Sequence, residues 1–170
     1  MDGVVSDFLS GALQSLNREL NKNVTVKEYV KYGAFDMAEF YGISNTRFWN
    51  IIDSEENFWL NLRPFDWAVD LLKLLRGLGD VTIVTSPSQD YSCISQKLEW
   101  LDKYLGIKSN DVFLGSKKYL MAGNGILIDD YSRNTEKFVA HGGKAILVPS
   151  NWNTSDLTFD KVKQTILNNL

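Results

Sequence analysis

The run Gly125-Ile126-Leu127-Ile128, closed by Asp129-Asp130, restricts what this chain can fold into more than any other stretch. A continuous apolar segment of this kind belongs to a strand covered on both faces, as in parallel sheets flanked by helices. Its two terminal acids then stand at the carboxyl edge of the sheet, where α/β folds bind their ligands. Adjacent carboxylates repel, and a site that keeps both ionised usually holds a cation beside them. Hard oxygen donors suit magnesium, which binds through one or two carboxylates and leaves its other positions to water and phosphate. The alternative is a strand ending in a turn, with Asp130 capping the next segment.

A matching piece opens the chain: Asp2-Gly3-Val4-Val5, then Ser6-Asp7-Phe8 and an apolar-periodic helix. An acid before glycine and two small β-branched residues reads as the exit of a second parallel strand. About five apolar residues are expected ahead of such an acid, so this reading implies a first strand upstream of Met1. The other reading is an ordinary solvated N-terminal acid.

At 170 residues, with 44% hydrophobic and 23% charged side chains, the chain is long enough for one globular domain carrying a small insertion. A net charge of −3 argues against a basic surface for nucleic-acid polymers. No apolar run approaches a membrane span, and no signal-peptide pattern is present. The single Cys93 makes no internal disulfide, pointing to a reducing, cytoplasmic setting. With His141 the only histidine, Cys/His and multi-histidine chemistries are disfavoured, leaving carboxylates, hydroxyls and lysines.

Along the chain, Phe8, Leu9, Ala12, Leu13, Leu16 and Leu20 predict a helix over about 7–21, with Asp7 as its cap. Residues 23–62 show short helical pieces and many aromatics without a strand-like run. Thr25-Val26-Lys27-Glu28 is a capping box, and Ser44 and Ser54 are candidate caps for two more helices. Most aromatics there are expected to pack; the functional reading has one or two stacking on a planar ligand over the sheet edge. Asp66 is expected to open a helix closed by Gly77 and Gly79. Asp80-Val81-Thr82-Ile83-Val84 is a strand running into Thr85-Ser86-Pro87, neutral hydroxyls at the acids' edge. A helix marked by Ser92, Ile94, Leu98, Leu101 and Leu105 ends at Gly106. Short strands at 111–114 and 144–149 and a last helix through Phe159, Val162, Ile166 and Leu170 complete an alternating α/β pattern. Gly115-Ser116-Lys117-Lys118 places a lysine between the hydroxyl turn and the acid pair, where it can neutralise a phosphoryl group as a point charge.

The order Asp-Gly-Val-Val, helical insert, strand-Thr-Ser-Pro, lysine, strand-Asp-Asp resembles the haloacid dehalogenase-like phosphatases. Asp2-Gly3-Val4-Val5-Ser6-Asp7-Phe8, Asn57-Phe58-Trp59-Leu60 running into Leu62-Arg63-Pro64, Thr85-Ser86-Pro87 and Leu127-Ile128-Asp129-Asp130 look, within them, like the 5′(3′)-deoxyribonucleotidases. The resemblance implies a Rossmann-like parallel sheet as an α/β core of residues 1–22 and 63–170, with a small helical cap, 23–62, inserted after the first strand-helix unit. It also implies magnesium-dependent hydrolysis of a nucleoside 5′-monophosphate through a phospho-aspartate.

In that pattern the opening motif is Asp-x-Asp, and Asp2 matches the second acid, the general acid and base. The nucleophile would then stand immediately before Met1. The resemblance further gives Thr85 and Ser86 as phosphoryl donors and Lys118 as the counter-charge, with Lys117 as the alternative register. Magnesium would be held by Asp129, Asp130 and the backbone carbonyl of Asp2, and Phe8, Phe35 and Phe58 would line the nucleobase pocket. Two other readings remain: a non-catalytic nucleotide- or phosphate-binding module on the same fold, and a receiver-like domain, against which the order of acids and lysine argues. A sheet without its first strand would expose hydrogen-bonding edges, so a homo-oligomer is expected.

Overall fold

Asp7 starts the helical structure: its Oδ1 accepts the Ser10 amide at 3.0 Å, satisfying an otherwise orphaned donor at the start of α1 (Phe8–Leu20). The computed structural model describes residues 1–123, 125–153 and 157–170. The buried face of α1, Phe8, Leu9, Ala12, Leu13 and Leu16, packs against α2 (Val26–Tyr32) and α4 (Asn45–Ser54), with α3 (Met37–Tyr41) between them in sequence. The expected capping box is formed: the Glu28 amide donates to Thr25 Oγ1 at 3.3 Å, and the Thr25 amide to Glu28 Oε2 at 2.7 Å. Ser44 caps α4 through the Arg47 amide. Tyr29, Met37, Phe48 and Ile52 of this segment join the same buried cluster as Leu71, Trp100 and Ile166, so the insert shares the core of the chain.

Past the insert come α5 (Ala68–Arg76), β1 (Ile83–Thr85), α6 (Ser92–Leu105), β2 (Val112–Leu114), a 3₁₀ turn (Lys118–Met121), β3 (Ile126–Asp129), α7 (Ser132–Ala140), β4 (Lys144–Leu147) and α8 (Phe159–Asn169). Trp100, wholly buried on α6, donates from Nε1 to Leu62 O at 2.7 Å and ties this half to the end of the insert. Among the described residues, no helix is long and apolar enough to cross a membrane.

Strands alternate with helices and pair in parallel, as the sequence predicts, but they form two short sheets. β1 pairs β2 with Ile83 opposite Val112 and Thr85 opposite Leu114; β3 pairs β4 with Ile126 opposite Lys144 and Asp129 opposite Leu147. Among the described residues no strand lies between β1 and β3. The opening residues form a turn, in which the amides of Val4, Val5 and Ser6 donate to Met1 O and the Gly3 amide to Ser6 O.

Three local expectations are corrected. Ser54 ends α4, its Oγ donating back to Ile51 O, because the chain turns at 55–61 and offers no helix to cap. Asp66 does not open α5, which begins at Ala68 with no side-chain cap. The helix α6 runs as expected to Gly106, but its buried stripe is Cys93, Lys97, Trp100, Leu101 and Leu105, with Ile94 and Leu98 half-buried and Ser92 exposed.

Candidate active site

The carboxyl ends of β1 and β3 bring Thr85 and Asp129 to one edge, and the opening turn sets Asp2 there as well. Asp2 Oδ1 accepts from Ser6 Oγ at 3.0 Å, and Asp2 Oδ2 accepts from Lys97 Nζ at 2.5 Å. Lys97 is wholly buried and donates also to Thr85 Oγ1 (3.2 Å) and Ser86 O (2.9 Å), with its ammonium 4.2 Å from the centre of the Trp59 ring. A buried ammonium needs this much compensation, since its desolvation costs several kcal/mol. Burial would raise the pKa of Asp2, but Lys97, the N-terminal amine and the hydrogen bonds from Lys97 and Ser6 prevail and hold it below the usual aspartate value. Because Thr85 Oγ1 accepts from Lys97, its own hydroxyl proton remains available to a ligand. Ser86 is turned aside, its Oγ donating to Gly115 O at 3.3 Å.

On the other side, Lys118 Nζ donates to Asp129 Oδ2 at 2.6 Å, and Asp129 Oδ1 accepts the Tyr131 amide (3.0 Å) and Asn134 Nδ2 (2.9 Å). Lys117, one residue earlier, is exposed. Asp130 is buried against Gly3, whose φ of 71° suits glycine; a Cβ there would collide with the Asp130 carboxylate and the Trp152 ring. Trp152 Nε1 donates to Asp130 O at 3.1 Å and fixes that backbone. Burial, and next the Asp129 charge, push the Asp130 carboxyl up to about 7, against the N-terminal amine and Lys118. The Met1 amine in turn has its pKa lowered by burial and by Lys118.

Among the described residues no group of three or more acid, histidine or cysteine side chains is poised to hold a metal, and Asp129 is engaged with Lys118 and Asp2 with Lys97. The donor set nevertheless fits magnesium: all the acids are hard oxygen ligands, and Asp130 is a buried carboxylate whose ionisation a cation would restore.

The aromatic residues fall into two groups. Phe8 stacks on Trp59 (5.6 Å between centres, 20° between planes) and meets Phe58 edge-on at 5.8 Å. Phe58 is only 4% exposed, so its faces are taken by neighbours. Phe35, 45% exposed, is not in ring contact with either; it stacks on Tyr131 at 4.3 Å, beside the acid pair, and meets Trp152 edge-on. A single pocket of Phe8, Phe35 and Phe58 is therefore not formed, and Phe35 is the one with a free face.

Lys97 and Trp59 are the site residues that sequence reasoning misses. A signal for Lys97 existed: it lies four residues after Cys93 and three or four before Trp100 and Leu101, on the apolar stripe of a helix, where a lysine must find a buried partner.

The family model described as 5′ nucleotidase, deoxy (pyrimidine), cytosolic type C protein matches residues 1–164. The human cytosolic-type 5′(3′)-deoxyribonucleotidase is 28% identical over 136 residues, covering 76% of this chain and 67% of that protein. The 5′(3′)-deoxyribonucleotidase of Bacillus subtilis is 26% identical over 164 residues, covering 95% and 89%. Among solved structures, an L-2-haloacid dehalogenase superposes with a TM-score of 0.51 over 95% of this chain and 87% of that one, at 10% identity, which shows a common fold.

Proposed function

Starting from the fact that this chain belongs to the cytosolic type C 5′-nucleotidase family, we propose that it is a magnesium-dependent phosphomonoester hydrolase of the cytoplasm. Its substrates in this reading are (deoxy)nucleoside 5′-monophosphates, and the reaction runs through a phospho-aspartate. The observation that carries the reading is the gathering of Asp2, Thr85, Lys97, Lys118, Asp129 and Asp130 at the carboxyl ends of β1 and β3. Three carboxylates and two lysines around a hydroxyl suit a phosphate, whose transfer is mostly a matter of positioning and charge stabilisation.

In this reading Asp129, Asp130 and the Asp2 carbonyl would hold magnesium, which when bound would supply positive charge against the phosphate. Thr85 donates its free proton to a phosphoryl oxygen and Lys118 neutralises the phosphate; Ser86, whose hydroxyl is donated to Gly115 O, adds a second donor only by turning away from that carbonyl. The attacking carboxylate belongs immediately ahead of Met1, beside the Asp2 turn. Asp2, ionised in the free site, gains affinity for a proton when the phosphate dianion arrives next to it. It then passes that proton to the leaving ester oxygen and takes one from the water that opens the acyl phosphate. The segment 23–62 acts as a cap over this edge, with the exposed face of Phe35 set against the base. A small molecule, not a nucleic-acid polymer, is the partner.

The test is phosphate release from dUMP and dTMP with magnesium, for the 170-residue chain and for a chain extended at Met1 by an apolar strand ending in Asp, each beside an Asp129→Asn control. Turnover by the extended chain that the control abolishes supports the hydrolase. Magnesium-dependent binding of both nucleotides without turnover by either chain favours the binding-module reading, for which the engagement of Asp2 with Lys97 and of Asp129 with Lys118 is the motive.

A further inference from the structure

Phe35 stands on the connection 33–36 between α2 and α3, where the Tyr29 hydroxyl pins the backbone by donating to Ala34 O at 2.7 Å. Its ring leaves the insert and rests on two rings of the core. It stacks on Tyr131 at 4.3 Å, with 26° between planes, and meets Trp152 edge-on at 5.1 Å. Each of those two residues is hydrogen-bonded to a different member of the acid pair: the Tyr131 amide donates to Asp129 Oδ1 at 3.0 Å, and Trp152 Nε1 donates to Asp130 O at 3.1 Å. Among the described residues these are the ring contacts that the insert makes with the segments carrying Asp129 and Asp130. Phe35 stays half-exposed, so a planar ligand can reach it while it holds both neighbours.

We propose that Phe35, Tyr131 and Trp152 form a clasp that couples the two halves of the site, so that a nucleoside on Phe35 and a divalent cation at Asp129 and Asp130 bind with positive cooperativity. Tyr131 and Trp152 are positioning residues in this arrangement, acting on the cation through the acids to which they are bonded. The base on Phe35 rests on the nucleotide reading; the contacts between the three rings and the acid pair do not. The sign follows from ordering. A base laid on Phe35 confines that ring, the confined ring holds Tyr131 and Trp152, and their N–H groups then hold the acids in place for the ion. Whichever ligand arrives first has already ordered the clasp for the second, and by linkage each raises the affinity of the other by the same factor. Asn134 Nδ2 and Asn153 Nδ2 also bond Asp129 Oδ1 and Asp130 O, at 2.9 and 3.4 Å. The acids therefore keep partners when the clasp is cut, and the ion still binds, without the coupling.

A nucleoside tests this better than a nucleotide, because it has no phosphate with which to touch the ion directly. Magnesium is titrated by calorimetry into the 170-residue chain with and without saturating thymidine, and in the same way into Tyr131→Leu and Tyr131→Phe. In the parent, thymidine is expected to tighten magnesium about fivefold or more, and magnesium to tighten thymidine equally. Tyr131→Leu is expected to bind magnesium alone as the parent does and to lose the effect of thymidine; Tyr131→Phe, which keeps the ring, is expected to retain it. Phe35→Ala gives a second readout without ligand: exchange of the Trp152 indole and Tyr131 amide protons is expected to quicken about tenfold or more, well beyond any change in α6. If both ligands bind the parent and neither changes the other's affinity, or if Tyr131→Leu keeps the coupling, the clasp is overturned and the nucleotide reading stands. Unchanged exchange in Phe35→Ala overturns it as well. If magnesium binds and thymidine does not, the base has no place on Phe35, and the clasp falls together with that reading.

Discussion

Lys97 Nζ lies 2.5 Å from Asp2 Oδ2 although 95 residues separate them, and the same ammonium reaches Thr85 and Ser86. One buried cation thus joins the opening turn, the end of β1 and α6, and keeps Asp2 ionised in the free site.

Removing that cation should be expensive. Lys97→Met leaves Asp2, a quarter exposed, with Ser6 and the Met1 amine, and is expected to destabilise the fold by somewhat less than the roughly 3–5 kcal/mol of breaking a fully buried pair. Asp2→Asn on its own strands the ammonium and is expected to be similarly costly, whereas the double variant recovers part of the loss. Urea unfolding of the three proteins measures the coupling; additive losses would show that the pair does not act as a unit.

Gly3 is expected to tolerate no side chain. Gly3→Ala combines a φ of 71° with a Cβ driven into Asp130 and Trp152, and a loss of about 2 kcal/mol or more is expected. Because the displaced group is one of the acids at the sheet edge, magnesium-dependent nucleotide binding should weaken together with stability, which titration calorimetry and thermal melting measure side by side.

The aromatic groups can be separated by function. Phe58→Ala empties a buried site and is expected to cost about 3–5 kcal/mol. Phe35→Ala removes a half-exposed ring and should change stability by less than about 1 kcal/mol, while weakening binding of a nucleoside monophosphate and leaving inorganic phosphate binding unchanged. Equal loss for both ligands would remove Phe35 from the base pocket.

A pH test addresses the contact between the insert and the turn after β1, where Ser88 Oγ donates to Asp53 Oδ1 at 2.7 Å. Burial, with a lesser contribution from Asp90, raises the Asp53 pKa against the bond from Ser88. The folded state therefore binds the proton more readily than the unfolded chain. Asp53 lowers stability at neutral pH, and this penalty is relieved as pH falls through the raised value toward the ordinary 3.8. Asp53→Asn, which keeps a side chain that can accept from Ser88, should be at least as stable at pH 7 and should show a smaller gain than the parent in that acidic window. Melting temperatures from pH 7 down to 4 report the difference.

Local chemistry made much of the fold legible. The apolar run before Asp129-Asp130 marked a strand, the hydroxyls after Val84 marked a strand exit, and Asp7, Thr25 and Ser44 cap the helices their spacing announces. Ser54 and Asp66 were misleading because a capping residue signals a helix only if the next residues continue one, and 55–61 turn instead. The buried stripe of α6 was only partly legible for a different reason: it contains a charged residue, and periodicity counts apolar positions only.

The amino-acid sequence by itself determined the α/β alternation, the parallel direction of the strands and the order of acids, hydroxyls and lysine along the chain, because these arise from periodicity and capping over a few residues. Only the tertiary structure decided that Lys97 belongs beside Asp2, that Phe35 stands apart from Phe8 and Phe58, and that the strands close into two sheets around an apolar cleft. Those relationships depend on burial and on partners tens of residues away, and a charge or a ring carries no local mark of the group it will meet.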